Sequence, residues 1–585
     1  MSFDPEKITY FAKTDARGKQ TPFGIKAKDR QRHIYVIGKT GMGKSTLLEN
    51  MAVQDIKNGE GLAFIDPHGS TAETLLDFIP EERVKDVLYF APFDMNYPMS
   101  FNIMEDVGPD KRHLVVSGLM SVFEKIWVDA WSARMAYILQ NTLMALLEYP
   151  DSTLLGVNRM LSDKTYRDKV VENVKDPGVK SFWVDEFAKY NERYMQEAGD
   201  AIKNKIGQFT ANPVIRNIIG QPHSSFDIRD IMDNKKILIM NLSKGLIGET
   251  NANLLGSMLT TRIYLAAMSR ADLSPAEMKE MPNFYFYVDE FQSFANATFA
   301  NILSEARKYK LNLTIAHQYV EQMEEEVRNA VFGNVGTIIS FRVGPFDAEI
   351  LETIFSPQFL ATDLVNLGFA QIYLTLMIDG VGSQPFSAVT LPPIEAGHIS
   401  CKEMVIRSSQ KQFATPRAEV EEMVNKFHEE NRTPPKEKKT KKPYKPNGGA
   451  QTFSTPPAQP TQNNIPPRDR MRGQQSAKPK DEKTVNDLRN VLKIITRQPN
   501  GNNNQSKQRK EAPKPKGTTD LKNALAGVLK DAPKPEEKKE EQAPKPNPRP
   551  VEKEKISNDS DKLSVSSKEL ERMMRVTSSD KPPLK

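Results

Sequence analysis

The chain has 585 residues and a net charge of +6, too long for one ordinary domain and charged in a way that permits nucleic-acid binding without demanding it. One cysteine, Cys401, excludes a disulfide framework and favours a cytosolic setting. No run of about 18 apolar residues occurs, and the opening MSFDPEKITY lacks a basic segment ahead of an apolar core, so neither a membrane span nor a signal peptide is expected.

Two unlike parts are averaged in that composition. Up to about Pro393 the sequence has regular apolar runs, all three Trp and most of the Phe; from about Pro434 it is dominated by Pro, Lys, Glu, Asn, Gln and Ser. The second part cannot bury enough apolar surface to offset its ordering entropy, and is read as disordered.

In chain order, Ile34–Ile37 reads as a buried parallel strand, Gly38–Lys44 as a loop and Ser45–Lys57 as a helix with Leu47, Leu48, Met51 and Ala52 on one face. GLAFID, ending at Asp66, and DVLYFA are further strands. From about Glu105 to Pro222 the pattern is almost wholly helical. Strand character returns at KKILIMNL from Lys235, a helix follows over Ala252–Met268, and FYFYVDE, LNLTIAH, GTIISFRV and AQIYLTLMI are strands. Strands alternating with helices predict an α/β fold with a parallel sheet, interrupted by an all-α subdomain. The expected divisions are 1–30 as an N-terminal extension, 31–105 and 231–396 as two parts of one α/β domain, 106–230 as the helical insertion, 397–433 as a linker with room for a helix, and 434–585 as the tail.

The spacing Gly38-x-x-x-x-Gly43-Lys44-Ser45 is a Walker A motif in its required place between strand and helix. Gly38, Lys39, Thr40, Gly41, Met42, Gly43, Lys44, Ser45 and Thr46 are its candidate nucleotide-binding residues. Glycines let the backbone N–H groups wrap round phosphates, and the helix N-terminus adds a positive dipole. Lys44 is expected at the β- and γ-phosphates and Ser45 at Mg²⁺. FYFYVDEF supplies the acid partner at another strand end: Asp289 for Mg²⁺ and Glu290 as general base for the attacking water. Adjacent acids there point to hydrolysis. Asp66 and His68 in DPHG sit at another strand end, where a nucleotide or DNA contact and a turn cap both fit. The seven histidines show no metal-ligand spacing.

FIDPHGS, YFAPFD, VDEFQSF, LSEARKYKLNLTIAHQY and NVGTIISFRVGPFDAEIL, in that order around the Walker pair, resemble the HerA/FtsK superfamily of DNA-pumping ATPases over roughly Ile25–Pro393. The closest branch looks like the conjugative coupling proteins of type IV secretion, of the TraD/TraG type. The resemblance implies a RecA-like P-loop ATPase domain that uses ATP and Mg²⁺, works as a homo-hexamer and threads DNA held through its phosphates. It makes Arg307 the arginine offered to a neighbouring subunit's ATP, Gln318 the residue that senses the γ-phosphate, and Arg342 a second candidate arginine. A surface or capping role fits each of these three as well. Membrane-bound members carry an N-terminal anchor; this chain reaches its Walker A at residue 38, so a cytoplasmic protein is expected, either an anchorless form, with room for a partner to hold it at the inner face of the membrane, or one closer to the soluble pumps. A protein-moving motor of secretion or pilus assembly, or an ATP-gated scaffold, are the competing readings.

Lys203, Lys205 and Arg216 are candidate DNA-backbone contacts, or simply a solvated helix face, and Arg134 stands among core-like positions of the insertion. Two tail stretches repeat the order Asp-Leu-basic-Asn-small-Leu, near 486–497 and 519–530, with Asp487 and Asp520 near the helix starts; SKELERMMRV from Ser567 is a looser copy. Each is too short to stand alone and reads as a docking helix for a membrane or secretion-complex protein.

Overall fold

A computed structural model describes residues 4–429 apart from 16–17, 106, 296 and 398. The tail repeats, with Asp487, Asp520 and the segment from Ser567, lie outside the described residues.

Short apolar runs form the centre of an 11-stranded sheet. The strands are β1 (Ile8–Thr14), β2 (Pro22–Lys26), β3 (Ile34–Ile37), β4 (Gly61–Asp66), β5 (Val87–Phe90), β6 (Ile237–Asn241), β7 (Phe284–Val288), β8 (Leu311–His317), β9 (Thr337–Ser340), β10 (Gln371–Thr375) and β13 (Phe386–Thr390). Two-residue strands β11 (Met377–Ile378) and β12 (Val381–Gly382) make a separate hairpin. The order across the sheet is β2-β1-β13-β10-β9-β3-β8-β7-β4-β6-β5. From β9 to β5 every pairing is parallel. These strands are buried on both faces, as parallel strands covered by helices must be.

Alternation along each strand divides the core between the two faces. Tyr35, Ile37, Ala63, Ile65, Phe286 and Val288 join one apolar cluster; Ile34, Val36, Leu62, Phe64, Tyr285 and Tyr287 join the other. The second face carries α1 (Lys44–Lys57), through Leu47, Leu48, Met51 and Ala52. The first face carries the inserted block. Between β5 and β6 the described elements are all helical, among them Arg112–Ile126, Ala133–Glu148, Leu155–Ser162, Lys164–Asn173 and Glu192–Ala211. Side-chain caps start several of them: Ser132 accepts from Met135 N–H, Asp163 from Thr165 and Tyr166, and Asn212 from Val214 ahead of Pro213. Their apolar faces continue the same cluster as the sheet, from Val115 and Val122 through Leu143 to Phe209.

Two parts of the fold go beyond the expected parallel sheet. β10, β13, β1 and β2 extend it by antiparallel pairing, so the N-terminal residues are sheet edge. These strands are half-exposed and β2 opens with a proline, which an edge strand tolerates. At the other edge, the stretch read as linker forms helices Lys402–Phe413 and Arg417–Glu429. The first covers β5: Tyr89 N–H donates to Ser409 Oγ at 2.8 Å, and Val405 is fully buried. That contact closes an edge that would otherwise present free N–H groups. The second packs Val420 and Val424 on Leu155 of the insertion.

A buried charged cluster ties the N-terminal edge to the centre. Arg30 donates to both Asp55 oxygens, at 2.7 and 2.9 Å, to Tyr287 Oη at 2.7 Å and to Thr9 Oγ1 at 3.0 Å. Tyr287 in turn donates to Asp55 Oδ2 at 2.5 Å, and the guanidinium lies 3.7 Å from the Tyr285 ring centroid. Removing one partner leaves an uncompensated buried charge, which costs about 3–5 kcal/mol. Arg30→Met is therefore expected to lower the unfolding free energy of the full chain by that order, read as a lower urea midpoint, and Arg30→Met with Asp55→Leu to recover much of the loss. Equal midpoints for Arg30→Met and the native chain would refute the assignment.

Candidate active site

β3 delivers the chain to Gly38 between β8 and β9, and backbone bonds hold the loop to both. Gly38 N–H donates to the His317 carbonyl at 3.2 Å, and Lys39 N–H to the Arg342 carbonyl at 2.8 Å. A Cβ on Gly38 would sit 2.5 Å from that of Phe341, so no other residue fits there. Gly43, at φ 112°, turns the loop into α1. The helix has no side-chain cap. Its first-turn N–H groups and their dipole face the loop, the arrangement that suits an anion. Lys44 is buried and folds back, Nζ donating to the carbonyls of Gly38 at 2.7 Å and Lys39 at 3.3 Å. Burial pushes its pKa down, against the pull of Glu290 and Asp289.

Side-chain parity carries Asp289 to the α1 face of the sheet, two residues beyond Tyr287. Ser45 Oγ donates to Asp289 Oδ2 at 2.8 Å, and Glu290 N–H to Oδ1 at 2.9 Å. Asp289 is buried, which raises its pKa, while the Ser45 bond opposes the rise. Glu290 breaks the strand with φ 48° and ψ 48°, a left-handed conformation that a residue with a side chain adopts at a cost of about 1–2 kcal/mol. That turn aims the carboxylate across the loop. Oε1 accepts from Gln318 Nε2 and Oε2 from Gln292 Nε2, with His68 Nε2 at 4.0 Å. Gln318 Oε1 accepts from Thr40 Oγ1 at 3.0 Å. One side chain thus joins the loop to the acid.

Of the remaining candidates, Asp66 is a turn cap: Oδ1 accepts from His68 N–H at 2.8 Å and Oδ2 from Ala72 N–H at 3.0 Å. His68 presents its half-exposed ring to Glu290. Gly41, Met42 and Thr46 sit within the loop and the first turn of α1, Met42 accepting from Ala370 N–H at 3.3 Å through its carbonyl. Arg342 follows β9 beside the loop. Arg307 is elsewhere. It lies exposed in the turn Ala306–Tyr309 that enters β8, close enough to His33 to depress that histidine's pKa. The length of β3, roughly 13 Å, separates this strand-entry edge from the loop. Lys203 pairs with Asp200 at 2.6 Å, and Lys205 Nζ lies 5.6 Å from the Trp127 ring centroid. Arg134 is in the first turn of Ala133–Glu148, and Arg216 is in Pro213–Ile219.

Gln292 and Lys125 were not anticipated. Lys125, in the last turn of Arg112–Ile126, donates to the carbonyls of Gln292, at 2.6 Å, and Ala295. Its sequence signal was a lysine three residues after Val122, on the buried face of an apolar helix.

The family described as "Helicase HerA, central domain" matches residues 14–263, and that described as "TraM recognition site of TraD and TraG" matches residues 283–354. No curated protein sequence matches the chain significantly. Among solved structures, the plasmid coupling protein TrwB in complex with ADP and Mg²⁺ is similar at 15% identity and a TM-score of 0.47, over 68% of this chain and 98% of that one. VirB4 of Thermoanaerobacter pseudethanolicus is similar at 13% identity and a TM-score of 0.44, over 67% and 98%.

Two buried histidines frame β3 and give the fold a pH signature. Leu313 N–H donates to His33 Nδ1 at 3.1 Å, and His317 Nδ1 lies 3.2 Å from Tyr35 Oη. Burial, chiefly, pushes their pKa values down to about 4 and about 3 from 6.5. As pH falls below 6.5 the unfolded chain takes up these protons first, so stability is lost downward from there until the folded values are reached. Each histidine is expected to remove about 2 kcal/mol between pH 7 and pH 5. Thermal melts of the native chain and His33→Gln at both pH values check this: the variant should lose less, and equal losses would count against it.

Proposed function

We propose, from the premise that this chain belongs to the HerA/FtsK superfamily and resembles its coupling proteins of the TraD/TraG type, that it is an ATP-driven DNA translocase, the motor of conjugative or type IV secretion DNA transfer. The observation that carries the reading is the contact chain Thr40–Gln318–Glu290 lying beside the Ser45–Asp289 pair.

The residues present fit a nucleotide and its cation. Lys44 has a buried ammonium whose partners are carbonyls of its own loop, and α1 opens without a side-chain cap. Phosphates bound there would meet the N–H groups of the loop and draw Lys44 away from those carbonyls. Ser45 and Asp289 would hold Mg²⁺, which neutralises phosphate charge when bound. Asp289, buried and oriented by two donors, would hold it in one position. Glu290 would take the proton of the attacking water. Gln318, bonded at once to Thr40 and Glu290, is placed to report the γ-phosphate to that base.

Arg307 is assigned to the nucleotide of a neighbouring subunit in a homo-hexamer. Its exposure at the strand-entry edge, away from its own loop, supports that assignment. DNA would be held through its phosphates, with Lys203 and Lys205 of the insertion as contacts. Among the described residues no helix is long and apolar enough to cross a membrane; a partner protein docking on the tail repeats would hold the motor at the membrane's inner face.

ATP hydrolysis by the full chain, with and without single- and double-stranded DNA, tests the reading. DNA should stimulate hydrolysis, and Glu290→Gln should lower the rate about 10²–10⁴-fold. Arg307→Ala should fall about 10³–10⁵-fold, and mixing it with an inactive Lys44→Ala chain should restore part of the activity, because mixed rings contain some intact sites. Hydrolysis indifferent to DNA would overturn the translocase in favour of a motor acting on protein. Absence of rescue would overturn the trans role of Arg307.

A further inference from the structure

We propose that Lys125 is a positioning residue through which the helical insertion sets the carboxylate of Glu290. The proposal rests on the ATPase reading above for the reaction that it affects.

A lysine with its amine turned inward is costly to bury, and the usual compensation is a carboxylate. Lys125 instead donates to two backbone carbonyls, those of Gln292 and Ala295. Those carbonyls lie in the loop that follows Asp289 and Glu290. Within the loop, Ser293 N–H donates to the Glu290 carbonyl and Phe294 and Ala295 N–H to the Phe291 carbonyl, so Lys125 takes two acceptors that these turns do not use. The acid that draws on its charge is Glu324, at the start of helix Glu325–Asn334.

From that loop the path to the chemistry is short. Lys125 fixes the backbone of Gln292; Gln292 Nε2 donates to Glu290 Oε2; Glu290 Oε1 is held by Gln318, and Gln318 by Thr40 of the phosphate loop. The left-handed backbone of Glu290 persists only where its surroundings hold it, and its two carboxylate oxygens are held by Gln292 and Gln318. The helix that carries Lys125 is seated closely. A Cβ on Gly118 would meet Thr261 Cγ2 at 2.5 Å, so Arg112–Ile126 lies against helix Glu249–Met268 with little space between. A shift of the insertion against the sheet therefore reaches Glu290 through one amine and one amide.

Lys125→Met, Lys125→Arg, Gln292→Leu and the double variant Lys125→Met with Gln292→Leu would be compared with the native full chain. Lys125→Met is expected to lower the DNA-stimulated kcat about tenfold while the KM for ATP stays within about twofold. Lys125→Arg, which keeps the charge and the donors, should recover most of the rate. Gln292→Leu should lose a similar factor, and the double variant should lose no more than either single one, because both act along one path. Losses that multiply, or a raised KM with kcat intact, would overturn the proposal. Hydrogen exchange of the 289–295 segment decides it independently of turnover. Lys125→Met should speed exchange there, and unchanged exchange would overturn the proposal even if the native chain shows no ATPase. An inactive native chain with faster exchange in the variant would instead sink the ATPase reading and leave the positioning contact standing.

Discussion

The arrangement at the strand ends depends on two elements meeting correctly: the start of α1, with Ser45, and the end of β7, with Asp289. The buried Arg30–Asp55–Tyr287 cluster imposes that meeting from a distance. Asp55 is ten residues along α1 from Ser45, about 15 Å at the helical rise, and Tyr287 is two residues before Asp289 on the same face of β7. Fixing helix and strand to one guanidinium at the far end leaves little freedom to rotate or slide at the near end, where Ser45 Oγ reaches Asp289. A packed apolar contact would stabilise as well, but it would not specify one register. The bidentate geometry of arginine does.

Chain direction does the rest. In a parallel sheet every strand ends at the same edge, so β3, β4, β7, β8 and β9 deliver Gly38, Asp66, Asp289, His317 and Phe341 side by side. Backbone bonds from Gly38 to His317 and from Lys39 to Arg342 then make the phosphate loop a continuation of its neighbours. A loop held this way is preorganised, and the polar chain through Gln318 and Glu290 needs no large movement to form.

Legibility in the sequence followed the range of the interaction. The phosphate loop and the Asp289–Glu290 pair were readable because each is local: a fixed spacing, or two acids closing an apolar run. The central strands were readable as unbroken apolar runs. Of the antiparallel extension only β10 was readable, within AQIYLTLMI; β1 and β2 were not, because they mix buried with partly exposed residues in no regular pattern, and β2 carries Pro22. Helix Lys402–Phe413 has few buried residues, Val405 and Ser409, and long-range contacts, among them Ser409 with β5, give it its place. Gln318 was picked out for its strand end, while its bond to Thr40, 278 positions earlier, has no sequence signature. The same holds for Lys125 and Gln292, which lie 167 positions apart.

Arg307 shows how strand polarity decides where a site can be completed. It is exposed where β8 begins, and the phosphate loop lies where β3, parallel to β8, ends. No rotamer of an arginine spans the strands and also passes through a sheet buried on both faces, so within one chain this guanidinium and the loop belong to opposite edges. A chain that used Arg307 on its own nucleotide would need β8 to run in the opposite direction. A head-to-tail ring, which joins two different surfaces of the subunit, needs no change provided that one of them carries the entry edge and the other the exit edge. In the proposed ring, the residue that looks misplaced in the single chain is the one that would make hydrolysis conditional on a neighbour. Gln292 and Lys125 make the geometry of the base conditional on the helical insertion in the same physical sense: the acid itself is local, and what orients it is not.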